Sequence, residues 1–132
     1  MRQAENQIDV RAAIQKKSFE LHYNGGTIWC EHLDGMKNRE QEVIVKFNGN
    51  LPELLRPSVS SCMIINLDET VITEDIEQAI VDGLNKGKKR FKKISLVGVD
   101  RKHQIKFITG LSRTGAAVKF LDDYEKAKEW VL

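Results

Sequence analysis

Cys62-Met63-Ile64-Ile65-Asn66-Leu67, then Thr73 followed by Glu74, Asp75 and Glu77, then Ile94-Ser95-Leu96-Val97-Gly98-Val99: this stretch decides the fold. The first run is short and almost continuously apolar, the pattern of a central strand covered on both faces. Behind it, Ile76, Ala79, Ile80, Gly83 and Leu84 fall at i, i+3, i+4, i+7 and i+8, one apolar stripe of a helix. Thr73 is a favoured N-cap, and the acids that follow complement the positive end of the helix dipole. The Lys/Arg run at 86–93 ends that helix, predicted over 73–90, and residues 94–99 read as a second buried strand. Strand, helix, strand implies a crossover and a parallel pair.

Working outward, Asp100 can cap a helix carrying Ile105, Ile108 and Leu111, closed by Gly110 or Gly115. Ala117-Val118-Lys119-Phe120-Leu121 reads as a last short strand. Asp122-x-x-Glu125 resembles a capping box opening a helix that buries Ala127, Trp130 and Val131. Towards the amino terminus, Phe19-Glu20-Leu21-His22-Tyr23 alternates apolar and polar, Asn24-Gly25-Gly26 is a hairpin turn, and residues 27–33 return as a strand. Residues 37–57 mix helix formers (Arg39 to Glu42) with the β-like Val43-Ile44-Val45. Helix is favoured there up to a break at Asn48-Gly49-Asn50, with a further turn at 51–55 that Pro52 opens. Residues 1–17 read as an arm or a short surface helix. The order predicts an α/β domain over 18–132. Its sheet is mixed and mostly parallel, of four to five strands, with an antiparallel amino-terminal edge hairpin and about four flanking helices.

A chain of 132 residues is one domain in length, and a 41% apolar, 30% charged composition is that of a globular protein. No apolar run approaches the roughly 18 residues of a membrane helix, and residues 1–20 are too polar for a secretory leader. With two cysteines, Cys30 and Cys62, the expectation is a cytoplasmic protein with free thiols. The near-neutral net charge of +2 hides a separation. Residues 66–82 hold six acids and no base, whereas residues 86–106 hold nine Lys/Arg against Asp100. Dipole complementation along one helix is the expected reading, with a nucleic-acid or anionic-lipid patch as the alternative. No recognition motif accompanies the run, so no nucleic-acid partner is expected.

Phosphate-binding glycine loops and the nucleophile elbow are missing from the sequence. Cys30, His32, His22 and Cys62 have the residue types of a zinc set, but their spacing matches no zinc pattern, and no metal or cofactor is expected. Cys62 has no recognisable catalytic partner, His103 being distant in sequence. The segment that stands out is the loop at 68–75, with Asp68, Glu69, Thr70, Thr73, Glu74 and Asp75 as candidate partner-binding residues. It follows a buried strand and opens a helix, at the edge where open α/β sheets receive ligands. Free backbone N–H groups at the helix start would also accept a phosphate on Thr70 or Thr73. The plain alternative is an ordinary strand-to-helix connection.

The strand 63–67, the helix from Thr73, the strand 94–99, Thr109-Gly110-Leu111 and the closing Val118-Lys119-Phe120-Leu121-Asp122-Asp123-Tyr124-Glu125-Lys126-Ala127 together resemble the STAS domain (sulphate transporter and anti-sigma-factor antagonist). The hairpin at 19–33 fits the family's first strands. The resemblance implies a non-enzymatic regulatory domain whose partners are other proteins, such as a regulatory kinase or sigma-regulatory factor. Many members of that family carry a serine or threonine at the helix start, within an Asp-Ser-Ser-Gly-like phrase, whose phosphorylation controls partner binding. Here Ile72-Thr73-Glu74-Asp75-Ile76 lacks the Ser-Gly phrase, and Glu74 or Asp75 stands at the serine's place. The expectation is a permanently charged loop or a divergent branch without the switch, with Thr73 the one remaining acceptor there and its hydroxyl engaged as a cap. The alternative function is binding of a small apolar ligand or lipid, as in related STAS-like folds. Membrane insertion is not expected. A homodimer through the edge strand, Trp29 or the apolar residues of the arm is an open alternative.

Overall fold

The computed structural model describes residues 17–132, so all but the last residue of the expected arm lies outside the described residues. The hairpin forms β1 (Phe19–Tyr23) and β2 (Gly26–His32), antiparallel, with Phe19 opposite Cys30. Asn24 (φ 47°) and Gly25 (φ 81°) supply the left-handed pair that a two-residue hairpin turn needs. There follow α1 (Glu40–Leu54), β3 (Cys62–Asn66), α2 (Glu74–Asn85), β4 (Lys93–Val97), α3 (Arg101–Leu111), a 3-10 turn (Ser112–Thr114), β5 (Ala117–Leu121) and α4 (Tyr124–Val131). The five strands lie in chain order across one sheet, β2 to β5 parallel. This is the α/β architecture that the alternation of strands and helices predicts.

Crossovers of one hand that step steadily in one direction leave their helices on one face. Val43, Phe47 and Leu51 of α1, Ile76, Ile80 and Leu84 of α2, and Phe107 and Leu111 of α3 accordingly bury Met63, Ile65, Ile94 and Leu96 from one side. On the other side α4 sets Ala127 and Val131 against Ile28, Cys30, Ile64 and Val97. Successive strand residues serve opposite layers, which is why β3 and β4 carry apolar residues almost without interruption. The helices of the larger layer meet at glycines. A Cβ on Gly83 would lie 2.7 Å from a Phe47 ring carbon, and one on Gly110 2.8 Å from both Val81 methyls.

Four local expectations are corrected. α1 runs unbroken through Asn48-Gly49-Asn50 and holds Pro52 in its interior. Phe47, Leu51 and Leu54 share its buried face, and that tertiary gain outweighs a cost of about 1 kcal/mol for Gly and about 3 for Pro. α2 ends at Asn85, whose side-chain amide donates to the Val81 and Gly110 carbonyls, both at 2.9 Å. The basic run therefore lies in turns beyond the helix, with Lys88 left-handed at φ 51°. In α3 the buried stripe is His103, Phe107 and Leu111, whereas Ile105 and Ile108 are 68% and 54% exposed. α4 is capped by Asp123, which accepts from the Glu125 N–H at 2.9 Å; Asp122 plays no such part, and Trp130 is only half-buried. Asp100 does cap α3, through the His103 N–H at 3.0 Å. Among the described residues no helix is long and apolar enough to cross a membrane.

Candidate functional site

β2 and β3 do not stop pairing at their ends. The Leu33 N–H donates to the Asn66 carbonyl (2.9 Å), Gly35 to Asp68 (2.8 Å), Lys37 to Glu69 (3.0 Å) and Val71 back to Lys37 (2.7 Å). The loops after the two strands are thus zipped into one ledge at the carboxyl edge of the sheet. Thr70 rivets them. Its hydroxyl donates to the Leu33 carbonyl at 2.6 Å and accepts from the Met36 N–H at 3.1 Å, and the residue is buried. Asn66 Oδ1 accepts from the Asp68 N–H at 3.0 Å, and Leu67 donates to the Val97 carbonyl at 2.8 Å. Gly98, at φ +78°, packs directly beneath; its Cβ would sit 2.7 Å from Asp68 Cα.

The six residues singled out from sequence divide on this scaffold. Asp68, Glu69, Glu74 and Asp75 are exposed, as is Val71; Glu69 lines a groove with Lys37 and Val71, and Glu74 lines another with Lys106 of α3. Thr73 is the N-cap of α2: its hydroxyl accepts from the Ile76 N–H at 3.2 Å and donates to the Glu40 carboxylate on α1. Both threonine hydroxyls are therefore committed to holding the loop. Lys37–Glu69 (3.7 Å) and Lys106–Glu74 (3.3 Å) are exposed pairs of small energetic consequence. Lys37 (φ 54°) and Glu69 (φ 57°), bonded to each other through the backbone, both occupy the left-handed region without being glycine. Each costs about 1–2 kcal/mol relative to ordinary backbone, and such strain gathers at functional surfaces.

The strand order runs β1-β2-β3-β4-β5 without reversal. A crevice between diverging loops arises where the order reverses, and this sheet has no such reversal. The spaces beside the ledge are open grooves, one of about 650 Å³ along Lys37, Glu69 and Val71, the other of about 420 Å³ between α2 and α3.

Of two polar clusters, the sequence reading missed the first and saw only Cys30 and His32 of the second. On the side of α1, the buried Glu31 carboxylate accepts from the Trp29 indole N–H and the Asn50 amide, both at 2.8 Å. Burial pushes its pKa up against these donors. Lys46 beside it donates to the His32 carbonyl. On the α4 side, His32 Nδ1 lies 3.0 Å from Asp34, its Nε2 lies 3.5 Å from the Tyr124 hydroxyl, and its ring stacks on Phe19. Burial raises the Tyr124 phenol and the Cys30 thiol, so the thiol stays protonated and un-nucleophilic. An acid inside an apolar strand, Glu31, was the available signal; Trp29 and Asp34 are partners two residues away, whereas Asn50 and Tyr124 come from distant segments. His103, buried in α3, pairs with Glu77 of α2 at 3.0 Å. His22 projects from the opposite face of the sheet to Cys30 and His32, because its cross-strand partner is Thr27. Among the described residues no three His, Cys, Asp or Glu side chains are grouped to hold a metal.

The riveting is testable. Thr70→Val keeps the shape but removes both hydrogen bonds, and is expected to cost about 1–3 kcal/mol in urea unfolding and to speed amide exchange at Gly35 and Lys37. Unaltered exchange would show that the two loops hold together without Thr70. Comparison of the chain with models of known protein families, with curated proteins and with solved structures finds no match.

Proposed function

We propose that this chain is a regulatory protein-interaction domain that docks a basic partner surface on the ledge at 68–75 and does no bond-making there. The observation that carries the reading is the ledge itself. Four exposed carboxylates and an exposed valine lie within eight residues on a backbone tied at Asp68, Thr70, Val71 and Thr73, Glu69 beside Val71 and Glu74 towards α3. A pre-ordered loop loses little conformational entropy when a partner binds, and an exposed apolar side chain beside charged ones suits a protein contact. The likeness to the STAS family adds the partner class, a regulatory kinase or sigma-regulatory factor. The committed hydroxyls of Thr70 and Thr73 favour a constitutively charged ledge over a phosphate switch.

A photo-crosslinking residue placed at Val71 in the native host, followed by mass spectrometry, names the partner, and purified proteins give its affinity. Glu74→Lys is expected to leave the fold nearly intact and to weaken that affinity about fivefold or more. Glu69→Gly separates stability from docking. It relieves the left-handed strain and raises stability by about 0.5–1 kcal/mol, yet removes a docking carboxylate and weakens binding. Unchanged affinity in both variants would remove the ledge as the docking surface.

A further inference from the structure

Most of the basic run makes no side-chain hydrogen bond or ion pair among the described residues, and its placement points to another use. Strands β2 to β5 are parallel, so their first residues share one edge of the sheet, and each of the four helices runs back to it. The turns there carry Arg56, Lys86, Lys88, Lys89, Lys92 and Arg113, all exposed. Contacts tie some of these turns to one another: the Lys92 N–H donates to the Ser61 carbonyl, Ala117 donates to the Lys92 carbonyl, and the Lys89 side chain lies 3.9 Å from where a Gly115 Cβ would stand. Among the described residues none of the six forms an ion pair. Helix-end compensation explains Lys86, the C-cap of α2, but not the set as a whole, since the last turns of α1, α2 and α3 contain no base and the dipole's influence fades within one turn. Arg90 is the member with a structural task, donating to the Val59 and Ser60 carbonyls. Glu53, Asp82 and Glu129 are acids on the helix ends nearby, and the Glu20 carboxylate of β1 accepts from the Ser60 N–H beside Arg90.

We infer that this edge adsorbs to an anionic bilayer surface and thereby points the acidic ledge, at the opposite edge, into solution. Two features favour lipid over nucleic acid. The aromatic ring within the run, Phe91, is 2% exposed and offers bases nothing to stack on. Trp130, by contrast, sits half-buried at this edge with Lys93 and Lys119 at 5.1 and 5.8 Å from its ring, beside the exposed Leu132. An amphipathic indole flanked by lysines is the chemistry of a headgroup interface. The separation of charge then acts as an orienting dipole, the basic edge drawn in and the acidic edge repelled.

The test is co-sedimentation of the full chain with phosphatidylcholine vesicles, with and without phosphatidylserine. Binding is expected only with phosphatidylserine, with a blue shift of Trp130 emission and loss in high salt. Lys86→Glu/Lys89→Glu/Lys92→Glu should lower partitioning by about a hundredfold, and Arg56→Glu/Arg113→Glu by about tenfold or more. Glu74→Lys should not lower it. Thermal melts confirm that each variant folds, and the two sets are independent should one fail. Equal binding to neutral vesicles, no binding at low salt, or preference for single-stranded RNA or duplex DNA over the anionic vesicles would each overturn the inference.

Discussion

Gly98→Ala is expected to cost about 2–5 kcal/mol, a large part of the 5–15 kcal/mol that holds a domain of this kind together. Two penalties add. Gly98 has φ +78°, where an L side chain costs about 1–2 kcal/mol. The new methyl would also meet Asp68 Cα at 2.7 Å, Asp68 N at 2.8 Å and the Leu67 carbonyl carbon at 3.2 Å. Those are backbone atoms in a segment bonded to both neighbouring strand ends, so they cannot swing aside as a long side chain would, and overpacking of that sort costs about 1–3 kcal/mol. Urea unfolding monitored by circular dichroism reads the loss as a lower midpoint at constant slope. The variant should also weaken partner binding, because whatever room the methyl finds is taken from the ledge. A shift below about 1 kcal/mol would mean that the Asp68 backbone yields easily, and the ledge would then be soft where its hydrogen bonds make it rigid.

What was legible in the sequence, and what was not, follows the range of the interactions concerned. β3 and β4 are buried on both faces, so their residues are apolar in succession and announce themselves. α2 carries a cap, acids in its first turn and a stripe ending in Gly83-Leu84, all within a dozen residues. α1 was misread at Gly49 and Pro52 because local propensity opposes the helix there, and what overrides it is the contact of Phe47 and Leu51 with Gly83 across the layer. The phase of α3 was misread for a similar reason. Ile105-Ile108-Leu111 and His103-Phe107-Leu111 are both plausible stripes, and the second wins because Glu77 on α2 supplies the buried partner that His103 requires. The acidic loop was visible as composition. Its rigidity was not, since Thr70 is fastened to Leu33 and Met36, more than thirty residues upstream.

The phase of the two helices also sets the largest contrast a single charge can produce in this molecule. Ile80 is 0% exposed, at the centre of α2 within the core shared with α1 and α3. Ile80→Asp removes a buried side chain, worth about 2–5 kcal/mol, and places there a carboxylate with no cationic partner in the surrounding core, which costs several kcal/mol more. The sum reaches the whole stability of a domain this size, so the variant should show no cooperative melt and no dispersed amide spectrum. Ile105→Asp on α3 makes the same chemical change at a side chain 68% exposed and next in sequence to Lys106. Its expected effect is within about 0.5 kcal/mol of zero. The pair is decisive because propensity, charge and volume change alike in both and only the facing differs. A melt of Ile80→Asp near that of the parent would put α2 in the wrong rotation, and a collapse of Ile105→Asp would do the same for α3, and the ledge that α2 opens could not then stand where the hydrogen bonds of Thr70 and Thr73 hold it.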